Sequence, residues 1–325
     1  MKSIRYSKLT STQKQQLIDD YKAIFTDALA DKVLKNGNTK EGIETKWKDW
    51  KQKYDKANTL NYTAENLLTA PFEELVDIFV KFKALGYKPT PKKQPPHPVL
   101  DALEDIFKYT SGFDGKIADF FIDHADLLQI HTCYYCEMSY VNTYSYMEIG
   151  NLEKKRQFDI DHFLPKAICP CLGLSLFNFV PSCQVCNSRI KLENLPSDVP
   201  DELKVLSPSS TNADYEKNIA IRLRMIPQDK GLLGKRYIYI RTNKPYDKHV
   251  SFFHLEERYE FHKSEALRLK KLKQRYPDSN IRKIAKLLNR REATVREDIF
   301  QTKFLTKEGR CFRKLTLDIL NNHKI

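Results

Sequence analysis

Apolar residues recur at three- and four-residue steps through most of this chain, a spacing that predicts amphipathic helices. In the clearest case Phe72, Leu75 and Phe79 share one face. Thr69 is a suitable N-cap for that helix, and Gly86 is a suitable end. Helices are predicted over 10–35, 42–57, 69–86, 99–109, 117–130 and from 254 onward.

Between 131 and 194 the pattern changes to short strand-like runs, turns and closely spaced cysteines. Further along, the apolar runs 237–240 and 249–253 flank a turn-forming Asn243-Lys244-Pro245 and predict a β-hairpin. KPTPKKQPPHPV is Pro-dense and basic, which predicts an extended linker. The predicted segments are a helical region at 1–87, this linker at 88–99, a central core at 100–195, and a hairpin followed by basic helices at 196–325.

Composition narrows the class of protein. Apolar residues make up 41% and charged residues 30% of the chain, as in folded soluble proteins. No apolar run approaches the roughly 20 residues that cross a bilayer, and MKSIRYSKLTSTQKQQ lacks the apolar core of a signal peptide. We therefore expect a cytoplasmic protein with no membrane contact. The net charge of +13 favours a polyanionic partner, above all nucleic acid.

Cysteines supply the first candidate chemistry. Two Cys-x-x-Cys pairs are separated by 46 residues, and pairs of this spacing suit a tetrahedral structural zinc. The long spacer adds only about 0.8 kcal/mol to the cost of closing the loop, because that cost grows with the logarithm of length. Cys169 and Cys171 are expected to be ordinary small apolar residues, with exchange into the metal site as the alternative. The predicted zinc ligands are Cys133, Cys136, Cys183 and Cys186.

The insert between the cysteine pairs contains QFDIDHFLPK, an apolar strand interrupted by two carboxylates and an imidazole. Asp159 and Asp161 share one face of such a strand, and His162 points to the other. Two neighbouring carboxylates repel each other unless a cation neutralises them, and aspartate oxygens suit Mg²⁺. An imidazole near that cation can take a proton from water. The stretch is therefore typical of phosphodiester hydrolysis.

The stretch FNFVPSCQVCNSRIK supplies further groups. Asn187 directly follows Cys186, so a zinc knuckle would fix its backbone, and its amide oxygen can bind the catalytic metal. Arg189 and Lys191 follow on the helix expected here, where they can meet phosphates. Lys166, at the end of the acidic strand's motif, is the third candidate for substrate binding.

Together, CYYC, DIDHFLPK and NFVPSCQVCNSRIK resemble the zinc-containing HNH, or His-Me finger, endonucleases over about residues 130–195. That family folds two strands and a helix, ββα, around one catalytic divalent metal, Mg²⁺ or Mn²⁺. The resemblance implies an α+β fold: a mostly helical chain with a central zinc-bound ββα-metal finger and a small β-hairpin. It also implies that the four paired cysteines hold the structural zinc.

The resemblance assigns roles residue by residue. His162 matches the general base that activates water, and Asp161 matches the metal-binding Asp before it. Asn178 matches the Asn that orients the base and its loop. Asn187 matches the final metal ligand, where the family has His or Asn. Asp159 is less regular in the family and is expected only as an additional or outer ligand.

Between 263 and 291 eleven Lys and Arg stand against two acids, beside an apolar face of Leu and Ile. This predicts amphipathic helices that contact phosphates, with a solvated charged face as the alternative. The order of finger, LEERYEFHK and basic helices resembles, more loosely, the HNH effectors of retrons and Septu-type anti-phage systems. That likeness implies an ATPase or retron partner protein, which the N-terminal 90 residues would dock; a second DNA-contact domain is the rival interpretation.

The leading hypothesis is a metal-dependent DNA endonuclease in phage defence, with RNA as the alternative substrate. Two other hypotheses stay open. A non-catalytic zinc-ribbon protein would bind nucleic acid without cleaving it. A restriction- or homing-type enzyme would cleave at a sequence that it reads itself.

Overall fold

A computed structural model of the chain describes residues 1–91, 94–95, 97–231, 234–307 and 309–321. The fold is α+β and mostly helical, as the sequence predicts, and the described strands pair as antiparallel hairpins. None of the described helices has the length and apolarity needed to cross a membrane.

The helices are α1 Ser11–Ala23, α2 Thr26–Leu29, α3 Ile43–Tyr54, α4 Ala64–Thr69, α5 Phe72–Ala84, α6 Pro98–Phe107, α7 Asp114–Asp123, α8 Ala125–Leu128, α9 Pro200–Leu206, α10 Tyr215–Asn218, α11 Tyr246–Phe252, α12 Leu255–Glu260, α13 Lys263–Arg275, α14 Asp278–Leu287, α15 Glu292–Phe300, α16 Thr302–Lys307 and α17 Arg313–Asn321. The strands are β1 Lys32–Val33, β2 Thr39–Lys40, β3 Thr143–Glu148, β4 Asn151–Arg156, β5 Asp159–His162, β6 Phe179–Ser182, β7 Ile219–Asp229 and β8 Lys235–Thr242. Tighter 3-10 turns cover Arg5–Lys8, Pro170–Leu172 and Leu176–Asn178, and wider π-helical turns cover Tyr109–Phe113 and Val185–Lys191.

Two N-terminal boundaries differ from the predicted ones. The helical run predicted to reach 35 stops at Leu29, because the chain turns back at Gly37 (φ +82°) and pairs β1 with β2. Thr69 ends α4 and does not cap the next helix. Pro71 is the N-cap of α5, which begins at Phe72.

The predicted hairpin between 237–240 and 249–253 is wrong. Strand β8 pairs with β7, whereas 249–253 belongs largely to α11. In that helix Tyr246, His249 and Val250 are three and four residues apart, so all three bury on one face. A short apolar run fits a helix or a strand equally well, and here tertiary packing decided between them.

The chain forms two compact units. The first unit comprises 3–130 and 141–213. In it Trp50 stacks on Trp47 and on Phe82, which joins α3 to α5. The hairpin of β5 and β6 is covered by aromatic rings: Phe72 packs edge-on against Phe163, just after β5, and Phe121 edge-on against Phe179 of β6.

The second unit comprises 1–2, 131–140 and 214–325. Its long β7–β8 hairpin is held by three carboxylates that accept backbone N–H groups, Asp318, Glu260 and Glu256. Asp318 accepts from Ile221 at 2.8 Å, and Glu260 accepts from Tyr237 and Ile238 at 2.9 and 2.8 Å. The four segments predicted from the sequence remain a prediction. Lys92, Lys93 and Pro96 of the predicted linker lie outside the described residues.

His249 in α11 is fully buried, and its Nε2–H donates to the carbonyl of Tyr135 at 3.0 Å. Its Nδ1 is buried with no hydrogen-bond partner among the described residues. Burial lowers the pKa of His249 to about 3, although the bond to Tyr135 opposes this. The ring is therefore neutral in the folded protein.

Because folding lowers this pKa, the stability that neutral His249 contributes is fully present above its ordinary pKa of 6.5 and is lost as the pH falls toward 3. Between pH 6 and 4 this group should make the unfolding free energy of the wild-type protein fall by about 1.4 kcal/mol for each pH unit. In His249→Gln, which keeps a donor for Tyr135, that part of the fall should be absent. Denaturant unfolding across this range measures it. Parallel curves for the two proteins would show that His249 is not the group responsible.

Candidate active site and metal centre

Four buried cysteines form one cluster. The Sγ atoms of Cys133, Cys136, Cys183 and Cys186 all lie within 4.8 Å of one another. Four thiolates around a zinc at about 2.3 Å stand about 3.8 Å apart, so this donor set fits a tetrahedral metal. The backbone N–H of Met138 also points to Cys136 Sγ at 3.4 Å. The cluster can hold a structural metal such as zinc.

Cys169 and Cys171 are separate from that cluster. Both are buried, and their Sγ atoms lie 3.4 Å from each other. Burial is the main cause that raises the pKa of the Cys169 thiol well above its ordinary value. A neutral, apolar pair of thiols agrees with the predicted role of small core residues.

The acidic strand is β5, and it pairs antiparallel with β6 so that Asp159 faces Ser182 and Asp161 faces Val180. The helical segment Val185–Lys191 follows β6 after two residues. Two strands and a helix therefore stand in the order ββα. The close spacing along the chain brings the candidate residues of both sequence stretches onto neighbouring elements.

His162 lies at the end of β5 with only 9% of its surface exposed. Its Nε2 lies 2.9 Å from the carbonyl of Gly173. A carbonyl can only accept, so Nε2 carries the hydrogen and the neutral ring has a bare lone pair on Nδ1. Nδ1 has no hydrogen-bond partner among the described residues. The ring also packs edge-on against Tyr109, with centroids 4.5 Å apart.

Burial lowers the pKa of His162 to about 3, and the ammonium groups of Lys166 and Lys191 add to this while the bond to Gly173 opposes it. The imidazole is therefore uncharged at neutral pH. Burial likewise raises the pKa of Tyr109 to about 12, so the neighbouring phenol keeps its proton. The neutral ring of His162 therefore carries a lone pair, and no hydrogen, at Nδ1.

Asn178 fixes the loop that carries Gly173. Its side chain is fully buried, and its amide makes two hydrogen bonds to the backbone of Leu164, as a paired strand residue would. Oδ1 accepts from the N–H of Leu164 at 2.8 Å, and Nδ2 donates to the Leu164 carbonyl at 3.0 Å. Nδ2 also donates to the carbonyl of Leu172 at 3.2 Å. The loop from 163 to 173 is thereby held at both ends, which sets the direction of the Gly173 carbonyl toward His162.

Asp161 is 4% exposed and forms a buried ion pair. The Nζ of Lys191 lies 3.3 Å from its carboxylate and donates to the His162 carbonyl at 2.7 Å. Lys191 itself has no exposed surface. The sequence placed this lysine against substrate phosphates; in the structure its charge is directed at Asp161, because a buried carboxylate without a cation would be strongly unfavourable.

Asn187 contacts Asp159 and not Asp161. Its Nδ2 donates to Asp159 Oδ2 at 3.1 Å, and the hydroxyl of Ser188 donates to the same oxygen at 3.2 Å. The sequence predicted that Asp161 and Asn187 would meet at one cation. In the structure they have separate partners, and Asp159, expected only as an outer ligand, is the carboxylate next to Asn187.

A cleft of about 560 Å³ opens beside this carboxylate. Asp159 lines it together with the basic end of β4, and that end leads directly into β5. The cleft residues that carry charge are Asp119, Lys154, Lys155, Arg156 and Asp159. The basic wall can attract an anionic chain to the edge of the candidate site.

The other two predicted substrate contacts are in different positions. Arg189 is exposed on the helical segment after β6. Lys166 is half-buried; its Nζ pairs with Glu104 at 3.3 Å and lies 5.8 Å from the centroid of the Tyr109 ring. Sequence reasoning missed Tyr109 and Gly173, since neither carries a motif and both reach His162 only through the fold.

Comparisons of this chain with protein-family models, with curated proteins and with solved structures found no match.

The cysteine cluster predicts one tightly bound zinc per chain, measurable by elemental analysis of the purified protein. Cys136→Ser and Cys186→Ser should each lose the metal and lower the melting temperature, because three thiolates and a hydroxyl bind zinc less tightly. Cys171→Ser is the matched control, a buried cysteine outside the cluster, and should keep its zinc. Full zinc occupancy in both ligand variants would contradict the assignment.

The buried ion pair predicts a large loss of stability when its cation is removed. Lys191→Met keeps the length of the side chain but removes the ammonium that pairs with the buried carboxylate of Asp161, and should lower the unfolding free energy by about 3–5 kcal/mol. Adding Asp161→Asn to Lys191→Met should recover part of this loss. Lys22→Met, which breaks the exposed pair with Glu65, is the control and should cost about 1 kcal/mol or less. Equal losses in Lys191→Met and Lys22→Met, measured by denaturant unfolding, would argue against a paired buried charge.

Proposed function

We propose that this protein is a metal-dependent HNH-type endonuclease that hydrolyses phosphodiester bonds in DNA. The observation that carries the proposal is His162. It is a neutral imidazole whose Nε2–H is held by a carbonyl, whose Nδ1 is available as a base, and whose neighbour on the same strand is a carboxylate. That is the arrangement needed to take a proton from an attacking water beside a cation.

The proposed catalytic cation, Mg²⁺ or Mn²⁺, would be held by Asp161 and Asn187, with Asp159 alongside. The donor set suits a hard cation, since all three residues offer oxygens. Asp161 is paired with the ammonium of Lys191, so a bound metal ion would replace that ammonium as its positive partner. Once bound, such a cation polarises the phosphate and stabilises the leaving oxygen.

The remaining groups act on the substrate and on the base. Gly173 and Tyr109 hold the His162 ring in place, and Asn178 keeps the loop of Gly173 from moving. Lys154, Lys155 and Arg156 line the cleft that meets Asp159, where they can bind phosphates on either side of the scissile bond. Arg189 and Lys166 are the further proposed substrate contacts.

The structural zinc is part of the proposal, bound by the four clustered cysteines. We further propose a role in phage defence with an ATPase or retron partner protein, on the looser resemblance of the chain order. A neighbouring gene for an ATPase or a reverse transcriptase would support that role. The competing function is a zinc-ribbon protein that binds nucleic acid without cutting it, and the same site would then give binding that no added metal converts into cleavage.

Plasmid nicking in Mg²⁺ or Mn²⁺ tests the proposal. His162→Ala should lower the rate of cleavage by about 10²–10⁴, the usual contribution of a general base. His124→Ala is the control: a partly buried histidine of the first unit, paired with Asp20, whose loss should leave cleavage within about twofold of wild type.

Both variants must first show wild-type zinc content and melting temperature. If His162→Ala cut as fast as wild type, the assigned base would be wrong. If the wild-type protein cut no DNA or RNA with any divalent metal and yet bound duplex DNA, the result would favour the zinc-ribbon protein that binds nucleic acid without cutting it.

A further inference from the structure

The basic C-terminal region contains two helices joined by a tight turn. Helix α14 ends at Leu287 and α15 begins at Glu292, so four residues connect them. Asn289 in the turn adopts a left-handed conformation at φ +51°. The Asn289 N–H donates to the Lys286 carbonyl and the Arg290 N–H to the Ala285 carbonyl, at 3.3 and 2.9 Å. These bonds end α14 sharply and fix the direction in which the chain enters α15.

The inner faces of the two helices are small and apolar. Ile281 and Ala285 of α14 and Val295 of α15 are 0%, 3% and 3% exposed, and α14 packs on α15. The guanidinium of Arg296 also reaches Asp278 at the start of α14, with Nη2 and Oδ1 2.6 Å apart. A short turn with a left-handed residue, between two helices packed in this way, is the architecture of a helix-turn-helix.

The outer surface of the pair is cationic. Arg282, Lys283 and Lys286 of α14 are exposed and form no ion pair with any residue that the structure describes. Arg290 and Arg291 in the turn are also exposed. From 278 to 300 six Lys and Arg stand against four Asp and Glu, and two of the arginines, Arg290 and Arg296, pair with Asp298 and Asp278. Unpaired cations on one helix favour a polyanion such as the phosphate backbone.

The first turn of α15 presents side chains that fit the major groove. Ala293 is exposed and Thr294 half-buried, and such short side chains let a helix approach base edges closely. Arg291 before the helix can donate to guanine, and Glu292 can accept from cytosine. This mixture of short and polar groups suits base reading better than a uniformly basic helix, which would bind only phosphates.

We propose that α14 and α15 form a helix-turn-helix that binds duplex DNA, with α15 in the major groove and the cations of α14 on the phosphates. The site lies in the second unit, apart in sequence from β5, β6 and their catalytic candidates. It extends the proposed function by naming duplex DNA as the ligand. It also gives the protein a means to read sequence, as the restriction- or homing-type alternative requires.

Binding of labelled random-sequence duplex DNA to full-length His162→Ala, with no added divalent metal, tests this proposal separately from cleavage. In that background Ala293→Asp should weaken binding by about tenfold or more, because a carboxylate would face the bases and phosphates. The substitution is exposed and lies where the helix dipole favours negative charge, so the fold should persist. Ser251→Asp, exposed in α11 of the same unit, is the matched control and should bind like its parent.

Salt dependence provides a second measurement. Lys283→Ala/Lys286→Ala should reduce the slope of log affinity against log salt by about 2, as expected for two lost phosphate contacts. Lys230→Ala/Lys244→Ala removes the same charge from exposed positions elsewhere in this unit and should leave the slope unchanged. Duplex RNA should bind more weakly than duplex DNA, since its deep, narrow major groove excludes a helix.

Wild-type affinity and salt slope in Ala293→Asp and in the double lysine variant, with melting temperatures preserved, would overturn the proposal. So would equal binding of duplex RNA and DNA that Ala293→Asp does not change. A protein that binds DNA as expected here but cleaves none with added Mg²⁺ would refute the proposed nuclease and leave the helix-turn-helix standing.

Discussion

A carboxylate buried on an apolar strand sets the strongest constraint on the candidate site. Asp161 is 4% exposed, and isolating that charge from water would cost several kcal/mol without a partner. Lys191, at the end of the helical segment after β6, forms an ion pair with this carboxylate and so fixes that segment against β5. Asn187 and Ser188 belong to the same segment, so the ion pair also determines which carboxylate they can reach. The geometry of the ββα unit follows from one charge that has to be neutralised.

The opposite face of β5 obeys a different rule. There burial keeps His162 neutral, and the Gly173 carbonyl decides which ring nitrogen carries the hydrogen. Asn178 holds the loop that carries this carbonyl, so a fully buried amide helps to orient the His162 ring without touching it. Strand alternation therefore places the charged carboxylates and the neutral imidazole on opposite sides of β5. Hydrolysis at a phosphate requires both, placed next to each other.

Cutting and finding DNA make different physical demands. A hydrolytic site needs a few groups held rigidly at one phosphate, whereas a reader of sequence needs a surface that follows the groove over several base pairs. In the proposed function the first demand is met by buried groups around β5. In the proposed helix-turn-helix the second is met by exposed groups on α14 and α15, which are joined by a turn that contains the left-handed Asn289.

The sequence alone determined what depends on spacing along the chain. Paired cysteines predicted the cluster, alternation in DIDH predicted a strand with both carboxylates on one face, and helical periodicity predicted a mostly helical α+β chain. Tertiary structure decided what depends on contacts between distant residues: Lys191 rather than a neighbour pairs with Asp161, Asn187 contacts Asp159, and Gly173 selects the tautomer of His162. It also turned 249–253 into helix. Local patterns fix which face of an element is apolar or charged, but the partner that meets that face is chosen by packing, which no local pattern encodes.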